Sequence, residues 1–164
     1  MANFIRVDDR LIHGQIITKW AGYLNVKNIV VIDDNTAKNN MLKSIMMMSV
    51  PKIYKTVICS YEEAKNIIQK LSEKSENTLI LIRFPSMLNN LVNNGIRPDL
   101  INIGNVSRKG DENKFEITHN IFLTENDIQI LENLHKQGMK ITFQLVPDTP
   151  CYIWSKERQK YFKD

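Results

Sequence analysis

The chain is organised around one short polar stretch, which reads Val7-Asp8-Asp9-Arg10-Leu11-Ile12-His13-Gly14-Gln15. The residues before it, Phe4 to Val7, favour a short strand, and the pattern from Gly14 to Leu24 favours an amphipathic helix. Two carboxylates, one guanidinium and one imidazole therefore lie between a strand and a helix. Because a helix N-terminus presents free N–H groups and partial positive charge, this connection would favour an anion such as phosphate.

Strand and helix patterns alternate along the rest of the chain. Further strands are predicted at 28–32, 52–59, 78–84, 100–103 and 139–146, with a brief extra strand at 114–119. Helices are predicted at 36–48, 61–73, 85–95, 125–137 and 151–161. This alternation predicts βαβ units in one α/β domain over residues 1–164. The expected sheet is open, twisted and mostly parallel, with about six or seven strands and helices on both faces.

In such a sheet, ligands bind beyond the carboxyl ends of the strands, and His13 lies after the first strand. A neutral ring nitrogen of His13 could accept a phosphoryl group if Asp8, Asp9 or a backbone carbonyl fixed the other nitrogen. Arg10 could hold the phosphoryl oxygens through a forked contact, and Gly14 would let the backbone come close. The plainer alternative is that the histidine caps a helix and that one aspartate braces the loop.

Composition narrows the class of protein. The formal net charge is +4 and the sequence pI is near 9.0, but the basic residues are scattered, so no nucleic-acid partner is expected. The apolar runs are too short to span a bilayer, and the N-terminus carries no secretory pattern, so a cytoplasmic location is expected. The two cysteines predict neither a disulfide framework nor a zinc site, and Asp33-Asp34 predicts a turn and helix cap rather than a metal pocket. Without a nucleotide-binding glycine motif, no cofactor is expected.

The Val7–Gln15 stretch closely resembles the signature around the phosphorylated histidine of IIB components in the mannose/fructose/sorbose family of the sugar phosphotransferase system (PTS). The resemblance extends through Trp20, the second strand with Asp33-Asp34, and the Asn102-Ile103-Gly104 loop. One departure is that relatives often have two adjacent glycines where this chain has Gly104-Asn105.

The resemblance implies a phosphocarrier. His13 would be the covalent carrier, Arg10 the phosphate ligand, and Asp9 or Asp8 the group that orients the ring. The donor would be a separate IIA component. The acceptor would be a sugar held by the membrane components IIC and IID, with which the chain would associate peripherally. The resemblance implies no metal or nucleotide, and it suggests self-association.

The sequence alone leaves several interpretations open. The main rival is a receiver-like signalling domain, which would need an acceptor aspartate where this chain has Ile58-Cys59-Ser60. Arg6 lies on the first strand and could point toward the site or away from it. The polar loop 104–111 suits either a lid facing the phosphate or a partner, or a solvated surface loop.

Overall fold

The computed structural model describes residues 1–110 and 113–163. Its strands are β1 Asn3–Asp8, β2 Asn28–Ile32, β3 Lys55–Cys59, β4 Thr78–Ile82, β5 Leu100–Asn105, β6 Lys114–Thr118, β7 Ile121–Thr124, β8 Ile141–Phe143 and β9 Tyr152–Ile153. Its α-helices are α1 Ala21–Tyr23, α2 Asp34–Lys38, α3 Asn40–Met48, α4 Tyr61–Ser72, α5 Leu88–Asn93, α6 Glu125–Lys136 and α7 Trp154–Glu157. A π-helical segment, Ile16–Trp20, leads into α1, and 3₁₀ turns lie at Pro85–Met87 and Arg158–Lys160.

The main sheet has the strand order β3-β2-β4-β1-β5-β8-β9. Six of these strands are parallel, and β9 pairs antiparallel with β8. The predicted single α/β domain with a mostly parallel sheet is therefore confirmed. The chain leaves β1 for β2 on one side and later returns to β5 on the other, so strand order reverses at β1. The carboxyl end of β1 is thus the expected place for a ligand.

The core lies on both faces of this sheet, which confirms the predicted covering of helices. Strands β2 and β4 are buried along their whole length, as expected for central parallel strands. Along β1, Ile5 and Val7 pack into the larger cluster beneath α4, α5 and α6. On the opposite face, Leu11, Ile16 and Trp20 form the second cluster. Alternate residues of β1 therefore face different environments, so Arg6 and Asp8 share the face that carries Trp20.

Some predicted boundaries were wrong, and each difference has a local cause. The predicted helix 36–48 is divided because Asn39 is extended and its side chain accepts a hydrogen bond from the Leu42 amide, which starts α3. The predicted helix 151–161 begins instead as the edge strand β9, and strand β7 was not predicted. The predicted strand 139–146 is limited to β8. Asp111, part of the predicted polar loop, lies outside the described residues.

Within residues 1–110 and 113–163, no helix combines the length and the apolar character needed to cross a membrane.

Candidate functional site

A tight turn at the end of β1 shapes the histidine loop. The Leu11 amide donates to the Asp8 carbonyl over 3.0 Å, and Leu11 has a φ of 56°, a value that is strained for a branched side chain. The Leu11 side chain is fully buried and Ile12 is nearly so, so both anchor the loop in the second cluster. This anchoring leaves His13 at the surface with 18% of its side chain exposed.

The buried Asp8 carboxylate gathers the charged groups of the loop. Its Oδ1 accepts hydrogen bonds from Nε and the backbone N of Arg10, at 3.0 and 3.1 Å. Its Oδ2 lies 3.0 Å from Nη2 of Arg10, 3.1 Å from Nη2 of Arg6 and 3.1 Å from Nε2 of His13. Two guanidinium groups and the imidazole therefore contact one carboxylate, so the cluster carries one excess positive charge when the ring is neutral.

These contacts indicate which ring nitrogen of the imidazole carries the proton. Burial alone would raise the pKa of Asp8, but hydrogen bonds from His13 and Arg10 and the charge of Arg6 together hold it well below the usual range. Asp8 is therefore ionised at neutral pH and can only accept a hydrogen bond. It follows that Nε2 of His13 carries the proton and that the lone pair of the neutral ring is on Nδ1.

Arg6 lies directly beneath this group and is almost completely buried. Its Nη1 donates to the Asn102 side chain and, over 3.0 Å, to the Gln144 carbonyl, while its Nη2 also donates to the Leu145 carbonyl over 2.8 Å. The guanidinium stacks on the ring of Trp20 at 4.8 Å. Burial lowers the pKa of Arg6 to about 10, although Asp8 opposes that shift, and the group remains charged at neutral pH.

Asp9 points toward the loop after β5. Its carboxylate accepts hydrogen bonds from Nδ2 of Asn105 at 2.5 Å, from the Ser107 amide at 3.0 Å and from the Ser107 hydroxyl. Its carbonyl accepts from Nη1 of Arg83 at 2.6 Å. The ring contact in this structure is made by Asp8, while Asp9 ties the histidine loop to its neighbours.

The structure thus brings together three of the five residues that the sequence singled out, namely Asp8, Arg10 and His13. Gly14 follows them at the surface, and a Cβ atom built there would meet nothing within 4 Å, so the space beside it is open. Asp33 caps α2 through the Thr36 amide and pairs with Arg83 at 3.3 Å. Within the described residues there is no group of three or more His, Cys, Asp or Glu side chains that could hold a metal.

Sequence reasoning missed the roles of two residues. Arg83 braces both Asp9 and Asp33, and its signal was its place directly after the buried strand β4. Gly104 faces Arg6 so closely that any Cβ atom there would overlap the guanidinium. No local sequence pattern could have identified the role of Gly104, because it depends on the pairing of β5 with β1.

Comparisons with known proteins show a family and a fold for this chain. The family model described as "PTS system sorbose subfamily IIB component" matches residues 2–159. A fructose-specific EIIB component from Bacillus subtilis is 27% identical over 87% of this chain and 86% of its own length. A mannose-specific EIIAB component from Escherichia coli is 24% identical over 88% of this chain, which corresponds to 44% of that protein. The structure of the IIBSor domain of the sorbose permease from Klebsiella pneumoniae covers all of both chains with a TM-score of 0.87 at 24% identity, a likeness of fold.

Proposed function

Because this chain belongs to the sorbose-subfamily IIB components of the sugar phosphotransferase system, we propose that Nδ1 of His13 carries its phosphoryl group. One observation supports this assignment above the others, namely the 3.1 Å contact between Nε2 of His13 and the buried Asp8 carboxylate. An ionised carboxylate fixes the proton on Nε2, so the free lone pair is on Nδ1. The receiver-like alternative has no support from the family or from the structural neighbours.

The reaction is a displacement at phosphorus. The Nδ1 lone pair forms a bond to the phosphoryl group of a phosphohistidine on IIA, while the phosphorus–nitrogen bond of the donor breaks and its electron pair stays on the donor ring. The receiving ring keeps the proton on Nε2 and gains positive character, which the Asp8 carboxylate stabilises. Arg10, with 40% of its side chain exposed, is the group that would contact the phosphoryl oxygens.

We further propose that residues 1–164 act as one IIB domain between a IIA donor and a sugar bound to the membrane components IIC and IID. The match to a mannose-specific EIIAB component, whose name joins IIA to IIB, supports IIA as the donor. In the second transfer, a sugar hydroxyl oxygen forms a bond to phosphorus, the bond from phosphorus to Nδ1 of His13 breaks with its electron pair returning to the ring, and the hydroxyl proton is released. The chain would then work at the cytoplasmic face of the membrane, in peripheral association with those components.

The assignment is tested by phosphorylating the purified chain. We expect phosphoenolpyruvate, the general phosphotransferase proteins and a cognate IIA to add one phosphoryl group, visible by intact mass. The adduct should be acid-labile, and it should be absent from His13→Ala.

The matched control is His119→Ala. His119 is almost completely exposed and lies 3.5 Å from Glu116, so it is an accessible histidine beside a carboxylate that makes no ion pair with the histidine loop in the described chain. This variant should still accept one phosphoryl group. An acid-stable adduct, or an adduct that survives in His13→Ala, would contradict the assignment.

A further inference from the structure

Arg6 is a cation in the interior of the protein, beneath the histidine loop. Only 1% of the residue is exposed, and its Nε has no hydrogen-bond partner in the described part of the chain. Removing a guanidinium from water is unfavourable, and an apolar side chain of similar size would avoid this cost. Because burial of a charge does not assign a role by itself, the role of Arg6 has to follow from the groups that it contacts.

Arg6 is aimed at one oxygen of the site. Oδ2 of Asp8 lies 3.1 Å from Nη2 of Arg6 and 3.1 Å from Nε2 of His13, so the buried cation and the imidazole share it. Arg10 reaches the same oxygen from the exposed side at 3.0 Å. A carboxylate that faces two guanidinium groups attracts the imidazole proton less strongly than one that faces a single guanidinium.

The residues around Arg6 fit a planar guanidinium. Asn102, which accepts from Arg6, is itself held by its amide donating to the Thr142 hydroxyl at 3.0 Å. Trp20 stacks on the guanidinium, and its indole N–H donates to the Leu145 carbonyl at 3.0 Å. A Cβ atom at Gly104 would overlap the guanidinium, so this glycine leaves the space that Arg6 fills.

We propose that Arg6 is a positioning residue for phosphoryl transfer: it holds the Asp8 carboxylate in place and offsets its charge, so that the His13 ring stays a neutral nucleophile. This inference rests on the proposed function of His13. The charged groups in contact with Asp8 in the described chain are Arg6, Arg10 and, once protonated, His13. At the nearby surface, Lys19 and Asp148 pair with each other at 3.6 Å.

The test compares Arg6→Met with Arg6→Lys in the full chain. Loss of the cation leaves Asp8 free to stabilise the imidazolium, so in Arg6→Met the pH profile of phosphorylation by phospho-IIA should move upward by about one pH unit. A ¹⁵N NMR titration of the His13 ring should move in the same direction. Arg6→Lys keeps the positive charge, so the midpoint of its pH profile should stay close to that of the unmodified chain, while its rate should fall because the fork that holds Asp8 is lost.

The control for a merely structural effect is Arg158→Met, which removes a buried guanidinium that is paired with Glu132 of α6. It should lower stability and leave the pH profile unchanged. If Arg6→Met does not fold, Gly104→Ala displaces the same guanidinium, with Gly22→Ala in α1 as its control, because a Cβ atom there meets nothing within 4 Å. An unshifted profile in folded Arg6→Met, or in Gly104→Ala, overturns the inference.

The NMR titration also keeps the two proposals separate, because it needs no phosphoryl donor. If the unmodified chain accepts no phosphoryl group, the proposed function fails, while the ring titration still shows whether Arg6 acts on His13. If the chain is phosphorylated on His13 but the titration is the same in Arg6→Met, only the role of Arg6 fails.

Discussion

Two buried arginine–carboxylate pairs in the described part of the chain are similar in chemistry but differ in use. Arg6 and Asp8 lie 3.1 Å apart at the end of β1, while Arg158 and Glu132 join α6 to the C-terminal segment at 2.5 Å. All four residues are buried. Hydrogen bonding lowers the pKa of both carboxyl groups, through Arg158 at Glu132 and, against the cost of burial, through His13 and Arg10 at Asp8.

The difference lies in the other partners of each carboxylate. Asp8 also contacts the partly exposed imidazole of His13, whereas Glu132 accepts a hydrogen bond from the buried indole of Trp154 at 3.2 Å and pairs with Lys136 at 3.7 Å. An indole and a protonated amine are not nucleophiles at neutral pH. A buried ion pair therefore does not mark a functional site by itself. It does so when it orients a nucleophile that reaches solvent, at the edge of the sheet where ligands bind.

The strongest way to break this comparison is to neutralise each carboxylate in turn. Asp8→Asn and Glu132→Gln each leave a buried guanidinium without its counter-ion, so each should cost roughly 3–5 kcal/mol of unfolding free energy. Only Asp8→Asn should also slow the phosphorylation of folded protein, by about 100-fold or more, because an amide can donate to Nε2 and favour the wrong tautomer.

Chemical denaturation and the rate of phosphorylation by phospho-IIA measure the two effects separately. If Glu132→Gln slowed phosphorylation of the folded protein as much as Asp8→Asn does, the remote pair would not be the structural counterpart that we describe. If Asp8→Asn were destabilised but phosphorylated at the normal rate, the orienting role of Asp8 would be wrong.

The sequence predicts the architecture well because its signals are local. Strands β2 and β4 are continuous apolar runs, and Ser60 with Glu63 forms the capping box at the start of α4 that their spacing indicates. The failures lie where tertiary contacts override local patterns. Residues 151–153 follow a helical pattern, but Tyr152 and Ile153 pair with the edge of β8. The break at Asn39 depends on a side-chain cap that competes with helix continuation.

The candidate site also has some features that the local sequence could predict and others that depend on tertiary contacts. The contact between Asp8 and His13 could be predicted as one of several options, because both residues lie in one short loop. Which aspartate faces the ring could not be predicted, since it depends on Asn105 and Ser107 drawing Asp9 away across the sheet. Alternation along a strand does put Arg6 and Asp8 on one face, but the acceptors that hold Arg6 come from β5 and the segment after β8.

The fall of unfolding free energy at acid pH gives a second test of the two pairs, with a smaller expected effect than the neutralising variants have on stability. The pKa of Asp8 is lower in the folded chain than in the unfolded chain, so its stabilising contribution is present above about pH 4 and is lost as the pH falls toward its folded pKa. A buried, ion-paired aspartate contributes roughly 2–3 kcal/mol in this way. Glu132 has the same sign, so each neutral variant should flatten the acid limb of the curve of unfolding free energy against pH.

Urea denaturation between about pH 2 and about pH 6 measures these slopes. Asp33, whose carboxyl pKa is lowered by Arg83 and Thr36 against the effect of burial, keeps its contribution in both variants. The limb should therefore be flatter than in the unmodified chain but not flat. An acid limb in Asp8→Asn as steep as that of the unmodified chain would show that Asp8 is not ionised at a lower pH in the folded state.

The smallest effects should come from the exposed cation of each cluster. Arg10→Lys keeps the charge but removes the fork, so it should change stability by less than about 1 kcal/mol while slowing phosphorylation about tenfold. Lys136→Ala removes a mostly exposed partner of Glu132, so it should cost less than about 1 kcal/mol and leave phosphorylation unchanged. Thermal melts and phosphorylation rates measure both variants. Equal phosphorylation rates in Arg10→Lys and Lys136→Ala would show that the Arg10 guanidinium does not contact the phosphoryl group. Loss of the Arg10 fork would then affect the rate no more than loss of the surface charge of Lys136.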